Sequence, residues 1–265
     1  MSWYNPITKA GSKNLHFWNQ LLVAVGFYVV YTYIGDIAKA SYSRALKNSL
    51  SEVRLERSFG VFIEEKVQHF FLQVPTLIKF ADLYYVTVHF VLPVVILVLL
   101  FRRDGTRFRM YRNVFALVTI IGFVVYLFFP VAPPRLLPHH FGFVDTLARY
   151  GGAGKLDGYL MAEVGDPYGA MPSLHFAWAM WCTVAGLAVL RSTLARVLLW
   201  IHPFLTIWVV IVTANHFIVD VVAGAVTVVL SMLLAGAFGP FKRSWYASEA
   251  QNQPRNGVTF VSGLR

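Results

Sequence analysis

The stretch from Leu194 to Thr213, LARVLLWIHPFLTIWVVIVT, and the one from Phe217 to Phe238, FIVDVVAGAVTVVLSMLLAGAF, are separated only by Ala214, Asn215 and His216. Each run is about 20 residues long and almost free of charge, the length at which an α-helix crosses a hydrocarbon layer. The pair therefore reads as a membrane hairpin with a tight link. Four more runs of this kind can be marked upstream: Phe17 to Ile34, Leu83 to Phe101, Val114 to Phe129 and Met171 to Leu190. The expected fold is all-α, a polytopic membrane protein of about six transmembrane helices.

Composition agrees. The chain is 57% hydrophobic and only 14% charged, whereas a soluble domain carries about a quarter of its residues as charges. The 23 Lys and Arg against 13 Asp and Glu would raise the question of nucleic acid in a soluble protein. Here the arginines lie between apolar runs, which reads as the positive-inside bias of cytoplasmic loops, with no nucleic-acid partner. The single cysteine, Cys182, excludes an intrachain disulfide and any cysteine-based metal site. No small-residue cleavage pattern closes the first run, which is read as a retained helix.

Loop charge sets the expected orientation. Arg102, Arg103, Arg107, Arg109 and Arg112 fill the second connection, Arg191 and Arg196 flank the fourth, and Lys242 with Arg243 follow the last run. With these inside, both termini are cytoplasmic, and the segments Asp36 to Asp82, Pro130 to Ala170 and the link at Asn215 are extracytoplasmic. The first of these carries Lys39, Arg44, Arg54 and Arg57, yet it also has Leu46, Leu50 and Val53 at helical spacing. It is expected to form interfacial helices lying on the membrane. The organisation is then a cytoplasmic N-terminus (1–16), one transmembrane catalytic domain (17–243) and a disordered cytoplasmic tail (244–265).

Three signatures carry chemistry, and this topology brings them to one membrane face. Tyr168 to His175, YGAMPSLH, is a Gly- and Pro-bearing turn before an apolar helix. Pro172 suits a first helical turn, Ser173 and the free N–H groups there suit an anion, and His175 follows within one turn as a proton donor to a leaving oxygen. In the second signature His216 and Asp220 stand four apart on one helix face. A carboxylate inside a membrane span costs roughly 2.5–3.5 kcal/mol on insertion scales. Asp220 therefore needs a partner, and pairing with one nitrogen of His216 leaves the other free as nucleophile or base. The third, Phe129 to Arg135, FPVAPPR, ends in a guanidinium whose planar fork suits phosphate.

Each residue also has a plainer reading. Ser173 alone is an ordinary helix cap, and Arg135 alone is a headgroup anchor. His202, with no carboxylate at helical spacing, reads as structural. His89, Tyr84 and Tyr85 sit near the outer end of the second run and could line the same cavity, but stay outside the catalytic set.

Taken together, these residues resemble the type 2 phosphatidic acid phosphatase (PAP2) superfamily, in the branch that includes inositol phosphorylceramide synthases. Gly169-Ala170-Met171-Pro172-Ser173-Leu174-His175 is similar to that branch's second motif, and His216-x-x-x-Asp220 followed by Gly224 is similar to its third. The resemblance implies that His216 is the nucleophile taking the phosphoryl group, Asp220 orients it and His175 is the general acid. It departs from the wider superfamily in two places. No Lys lies seven residues before Arg135, and Val210 stands where an Arg usually precedes the third-motif His. Both losses favour the synthase-like branch.

The expected function is metal-free and cofactor-free transfer of a phosphoryl or phospho-headgroup from a lipid donor, through a phosphohistidine, to water or an alcohol. Catalytic residues are His175, His216 and Asp220, with Arg135 and Ser173 on the phosphate. Two other classes use the same residues. One is a metal-dependent hydrolase ligated by His175, His216 and Asp220; the other is a non-catalytic lipid carrier or transporter.

Overall fold

The computed structural model describes residues 40–150 and 167–236. The first apolar run, the N-terminal segment and the tail from Ser244 lie outside the described residues. Within them the chain is all-α, apart from one isolated parallel bridge between Val131 and Gly169.

Helix α1, Tyr42–Phe59, starts where the Ser41 side chain accepts the Arg44 N–H. It stops at Gly60, whose left-handed backbone (φ 69°) lets Val61 N–H return to the Glu56 carbonyl. Its buried stripe is Ala45, Ser49, Glu52, Val53 and Glu56. Of the apolar residues that suggested a membrane-lying face, Val53 is buried, while Leu46 and Leu50 are only partly so. The inward face of α1 carries acids instead. Helix α2 follows as Glu64–Leu72.

Helix α3, Pro75–Arg103, opens on a proline whose missing N–H costs nothing in a first turn. The apolar run from Leu83 is thus the lipid-length part of a longer helix. The arginine-rich connection from Arg102 to Arg112 proves almost absent as a loop. Asp104 alone separates α3 from α4, Gly105–Phe128, because its side chain accepts the N–H groups of Thr106 and Arg107 and caps the new helix at once.

Helix α6, Leu174–Val189, is the hub, packed on α3, α4, α7 (Thr193–Val212) and α8 (Ile218–Leu234). Between α4 and α6 run two short 3-10 turns, Pro134–Leu136 and His139–Phe141, and the short α5, Thr146–Tyr150. At the C-terminal end of α6, Arg107 donates to the Ala188 carbonyl, Arg103 to Val189 and Arg196 to Leu187 and Leu190. Cations there satisfy orphan carbonyls and the helix dipole. These arginines thus gather at one end of α6, and Ser173 and His175 stand at the other.

Three of the helices, α3, α4 and α7, are long and apolar enough to cross a membrane, while α6 and α8 are shorter apolar helices of 16 and 17 residues. At about 1.5 Å per residue the short pair rises less than the roughly 30 Å of a hydrocarbon core. Trp181, Leu100, Val114 and Val118 fill the core between α3, α4 and α6, and the Trp181 indole N–H is satisfied by the Tyr111 carbonyl at 2.9 Å. Outside, Leu194, Trp200, Phe204, Leu233 and Leu234 stand exposed, which only a lipid surround makes inexpensive. The chain is an all-α membrane protein.

Candidate active site

Backbone hydrogen bonds draw the three signature segments together. Val131 N–H donates to Tyr168 O at 2.7 Å and Ala170 N–H returns to Val131 O at 3.2 Å, tying the Pro-rich exit of α4 to the turn before α6. Arg135 N–H donates to Ala214 O at 2.9 Å, tying that exit to the turn before α8. Ser173 N–H donates to Asp220 O at 2.9 Å, joining the starts of α6 and α8. Tyr126 adds a side-chain tie from α4, its hydroxyl donating to the Pro172 carbonyl. Pro172 itself lies one residue before the cap Ser173, outside the helix rather than in its first turn.

The two histidines face one another across 5.6 Å between ring centroids. His216 is buried; its Nδ1 lies 2.9 Å from the Ala170 carbonyl and 3.4 Å from Asp220 Oδ2. A carbonyl oxygen only accepts, so Nδ1 carries the hydrogen and Nε2 keeps its lone pair. That Nε2 is buried and has no hydrogen-bond partner, and the same holds for Nε2 of His175. Asp220 stands beside the ring, and the carbonyl of Ala170 is the nearer of the two acceptors. Asp220 Oδ2 meanwhile accepts the Phe217 N–H at 2.8 Å, capping α8.

Ser173 is the N-cap of α6, its hydroxyl accepting the Phe176 N–H at 3.4 Å. Ser173 N–H is spoken for, and among the described residues the N–H groups of Leu174 and His175 make no hydrogen bond. Those are the orphan donors at which a helix start receives an anion. The start of α8 differs: Phe217, Ile218 and Val219 N–H groups are taken by Asp220 Oδ2, Glu64 Oε1 and Glu56 Oε1. Of these two helix starts, that of α6 is the one with free N–H groups. Arg135 is tied to the turn before α8, with Nε donating to Asn215 Oδ1 at 2.8 Å, and its Nη1 donates to Asp145 Oδ2 at 3.3 Å. Asn215 is steadied in turn by Thr213 Oγ1 at 2.8 Å.

Two groups escaped the reading of the sequence. Tyr85 stacks on His175 at 4.0 Å between centroids, and His89 lies 3.9 Å from the same ring. The sequence puts both near the site without assigning them a role; in the structure both rings pack against that of His175. The acids Glu52, Glu56 and Glu64 had not been singled out at all, and they are almost wholly buried beside Asp220. Only helical spacing along α1 pointed to them, with 52 and 56 four apart. By contrast His202 is held by Tyr84 through Nδ1, away from the signatures. Among the described residues no three His, Cys, Asp or Glu side chains converge as a metal-ligand set.

A family model, the PAP2 superfamily, matches residues 52–234. The chain belongs to the PAP2 superfamily. The match runs from Glu52 in α1 to the last residue of α8 and takes in all three signatures. No curated protein and no solved structure matches the chain. Membership in the PAP2 superfamily supports phosphatase-type chemistry on a lipid phosphate at a membrane.

Proposed function

We propose that this PAP2 protein transfers a phosphoryl or phospho-headgroup from a lipid donor through a phosphohistidine on His216, in the manner of the inositol phosphorylceramide synthase-like branch. The observation that carries the reading is the pair of buried, unpartnered Nε2 atoms on facing histidines. A buried ring nitrogen without a partner is costly to keep, and a reacting group between the rings would satisfy both.

The step balances as follows. The His216 Nε2 lone pair attacks phosphorus, the P–O bond to the leaving group breaks, and His175 gives that oxygen its proton. The phosphate oxygens rest on the Leu174 and His175 N–H groups at the start of α6, with Arg135 as the nearby cation. In the second half an acceptor O–H surrenders its proton to His175, attacks phosphorus and frees His216. Asp220 stabilises the positive charge that His216 gains. Water as acceptor makes the enzyme a lipid phosphate phosphatase; an alcohol makes it a phosphotransferase.

The site opens on the extracytoplasmic face, because the arginines at the other end of α6 mark the cytoplasm. The test is a lipid extract from a deletion strain compared with the wild type by mass spectrometry. An accumulated lipid phosphate identifies the phosphatase and a missing headgroup class the transferase. An unchanged lipid profile, with lipid movement lost instead, would make the protein a carrier and end this reading.

A further inference from the structure

The PAP2 signatures leave one buried group unexplained. Glu52 is 4% exposed and Asp220 fully buried. The two side chains, from α1 and α8, come close enough to interact, beside the tie in which Val219 N–H donates to Glu56 Oε1, one turn along from Glu52. Asp220 Oδ1 and both carboxyl oxygens of Glu52 are buried without a hydrogen-bond donor, while Asp220 Oδ2 is taken by the Phe217 N–H. An ionised carboxylate only accepts hydrogen bonds. Two such groups pressed together out of water cannot both be charged, and one shared proton turns the clash into a short, strong O–H···O⁻ bond.

We propose that Glu52 is a positioning residue that keeps its proton and donates it to Asp220 Oδ1, holding that carboxylate as a single anion beside His216. The proposal rests on the reading of His216 and Asp220 given above.

The proton belongs on Glu52 because of what surrounds each group. Asp220 already serves as an acceptor: its Oδ2 takes the Phe217 N–H at 2.8 Å and stands 3.4 Å from His216 Nδ1. Glu52 faces only acids: Asp220 on α8 and, on its own helix, Glu56. Burial above all, then the charges of Asp220 and Glu56, push the Glu52 carboxyl up to about 11. A second pair does the same one turn along. Glu56 and Glu64 each spend one oxygen on α8, on the N–H groups of Val219 and Ile218. The other oxygen of each is buried without a hydrogen-bond donor, and burial above all, then the neighbouring Glu64, push the Glu56 carboxyl up to about 9. Among the described residues no Lys or Arg pairs with any of the four. Protons therefore do here what cations do elsewhere.

The experiment uses the full chain in detergent micelles, with Glu52→Gln and Glu52→Leu as variants. Infrared spectroscopy at neutral pH reads the carbonyl stretch of protonated carboxyls, and wild type minus Glu52→Gln should show one component lost. Turnover is read on short-chain phosphatidic acid across pH. An amide can still donate to Asp220, so Glu52→Gln should recover most of the activity lost in Glu52→Leu, with an unmoved pH profile. Removing a hydrogen bond to a buried charge should lower kcat/KM of Glu52→Leu by about tenfold or more. Three results would overturn the proposal: no infrared difference, Glu52→Gln as impaired as Glu52→Leu, or an activity that needs a divalent cation which Glu52→Gln no longer binds. Full activity in His216→Ala would instead sink the site reading, while the infrared band would still report on Glu52.

Discussion

The backbone N–H of Ser173 donates to the carbonyl of Asp220 across 2.9 Å, so the start of α6 and the start of α8 behave as one unit. One turn beyond Asp220, a Cβ added at Gly224 would stand 2.6 Å from the Ser173 carbonyl oxygen. Backbone cannot yield there without moving the cap of α6. Gly224→Ala should therefore lower stability by about 1–3 kcal/mol through overpacking and reduce turnover more than it reduces the amount of folded protein. Thermal unfolding in detergent beside turnover per folded molecule checks this. A variant with wild-type melting and turnover would show that the contact relaxes freely.

Arg135 holds Asn215 through Nε and Asp145 through Nη1. A lysine cannot reproduce that fork. Arg135→Lys should recover part of the activity of wild type, and Arg135→Ala less, with the alanine losing on the order of 3 kcal/mol of transition-state binding. Steady-state kinetics on phosphatidic acid decides it. Equal kcat/KM in all three proteins would remove Arg135 from phosphate recognition.

The raised acids make a prediction about pH and stability. Glu52 rises from 4.5 to about 11 and Glu56 from 4.5 to about 9, so the folded chain binds more protons than the unfolded one between those limits. The sign follows from linkage: where the native state holds the extra protons, stability falls as pH rises. The melting temperature in detergent should fall from about pH 5 toward pH 9. Glu56→Gln, which cannot ionise, should flatten that slope. A slope identical in wild type and variant would mean that Glu56 is charged in the native state.

Much of this was legible in the sequence because lipid makes the code simple. A run such as Leu194 to Thr213 can do little but span, and the observed helix Thr193–Val212 differs from it by one residue at each end. The signatures were legible because His and Asp are expensive in apolar runs and therefore conspicuous. The connection at Asp104 was misjudged because charge marks a membrane face, not a break in the helix; arginines continue a helix readily, and the cap was the informative residue. Glu52, Glu56 and Glu64 were hidden for the opposite reason. In a segment rich in Arg and Lys an acid reads as a surface charge, and only the packing of α1 against the start of α8 shows otherwise.

The proposed orientation can be tested on His140, which is exposed in the second 3-10 turn. Cys182 is buried, so a cysteine introduced at His140 is the residue an impermeant maleimide should label in intact cells. Labelling that appears only after the inner face is opened would reverse the topology, and with it the side on which the lipid phosphate is met.

The division of labour between the two histidines gives the sharpest test, since their surroundings differ. Only His216 has an Nδ1–H held by a carbonyl with a carboxylate beside it; only His175 sits at the open start of α6, braced by Tyr85 and His89. If His216 is the nucleophile, His216→Ala should form no covalent intermediate with any donor, because no other unpartnered nitrogen is placed to attack once His175 serves as the acid. His175→Ala should still form it from an activated aryl phosphate, whose leaving group needs no proton, and should fail on phosphatidic acid, whose alkoxide does. Asp220→Asn should fall between them: the amide still caps α8 in part but no longer stabilises a positive ring. Phosphoenzyme trapped from labelled donor at alkaline pH, where phosphohistidine persists, separates the three. Label retained in His216→Ala, or rescue of that variant rather than His175→Ala by the aryl donor, would exchange the two roles.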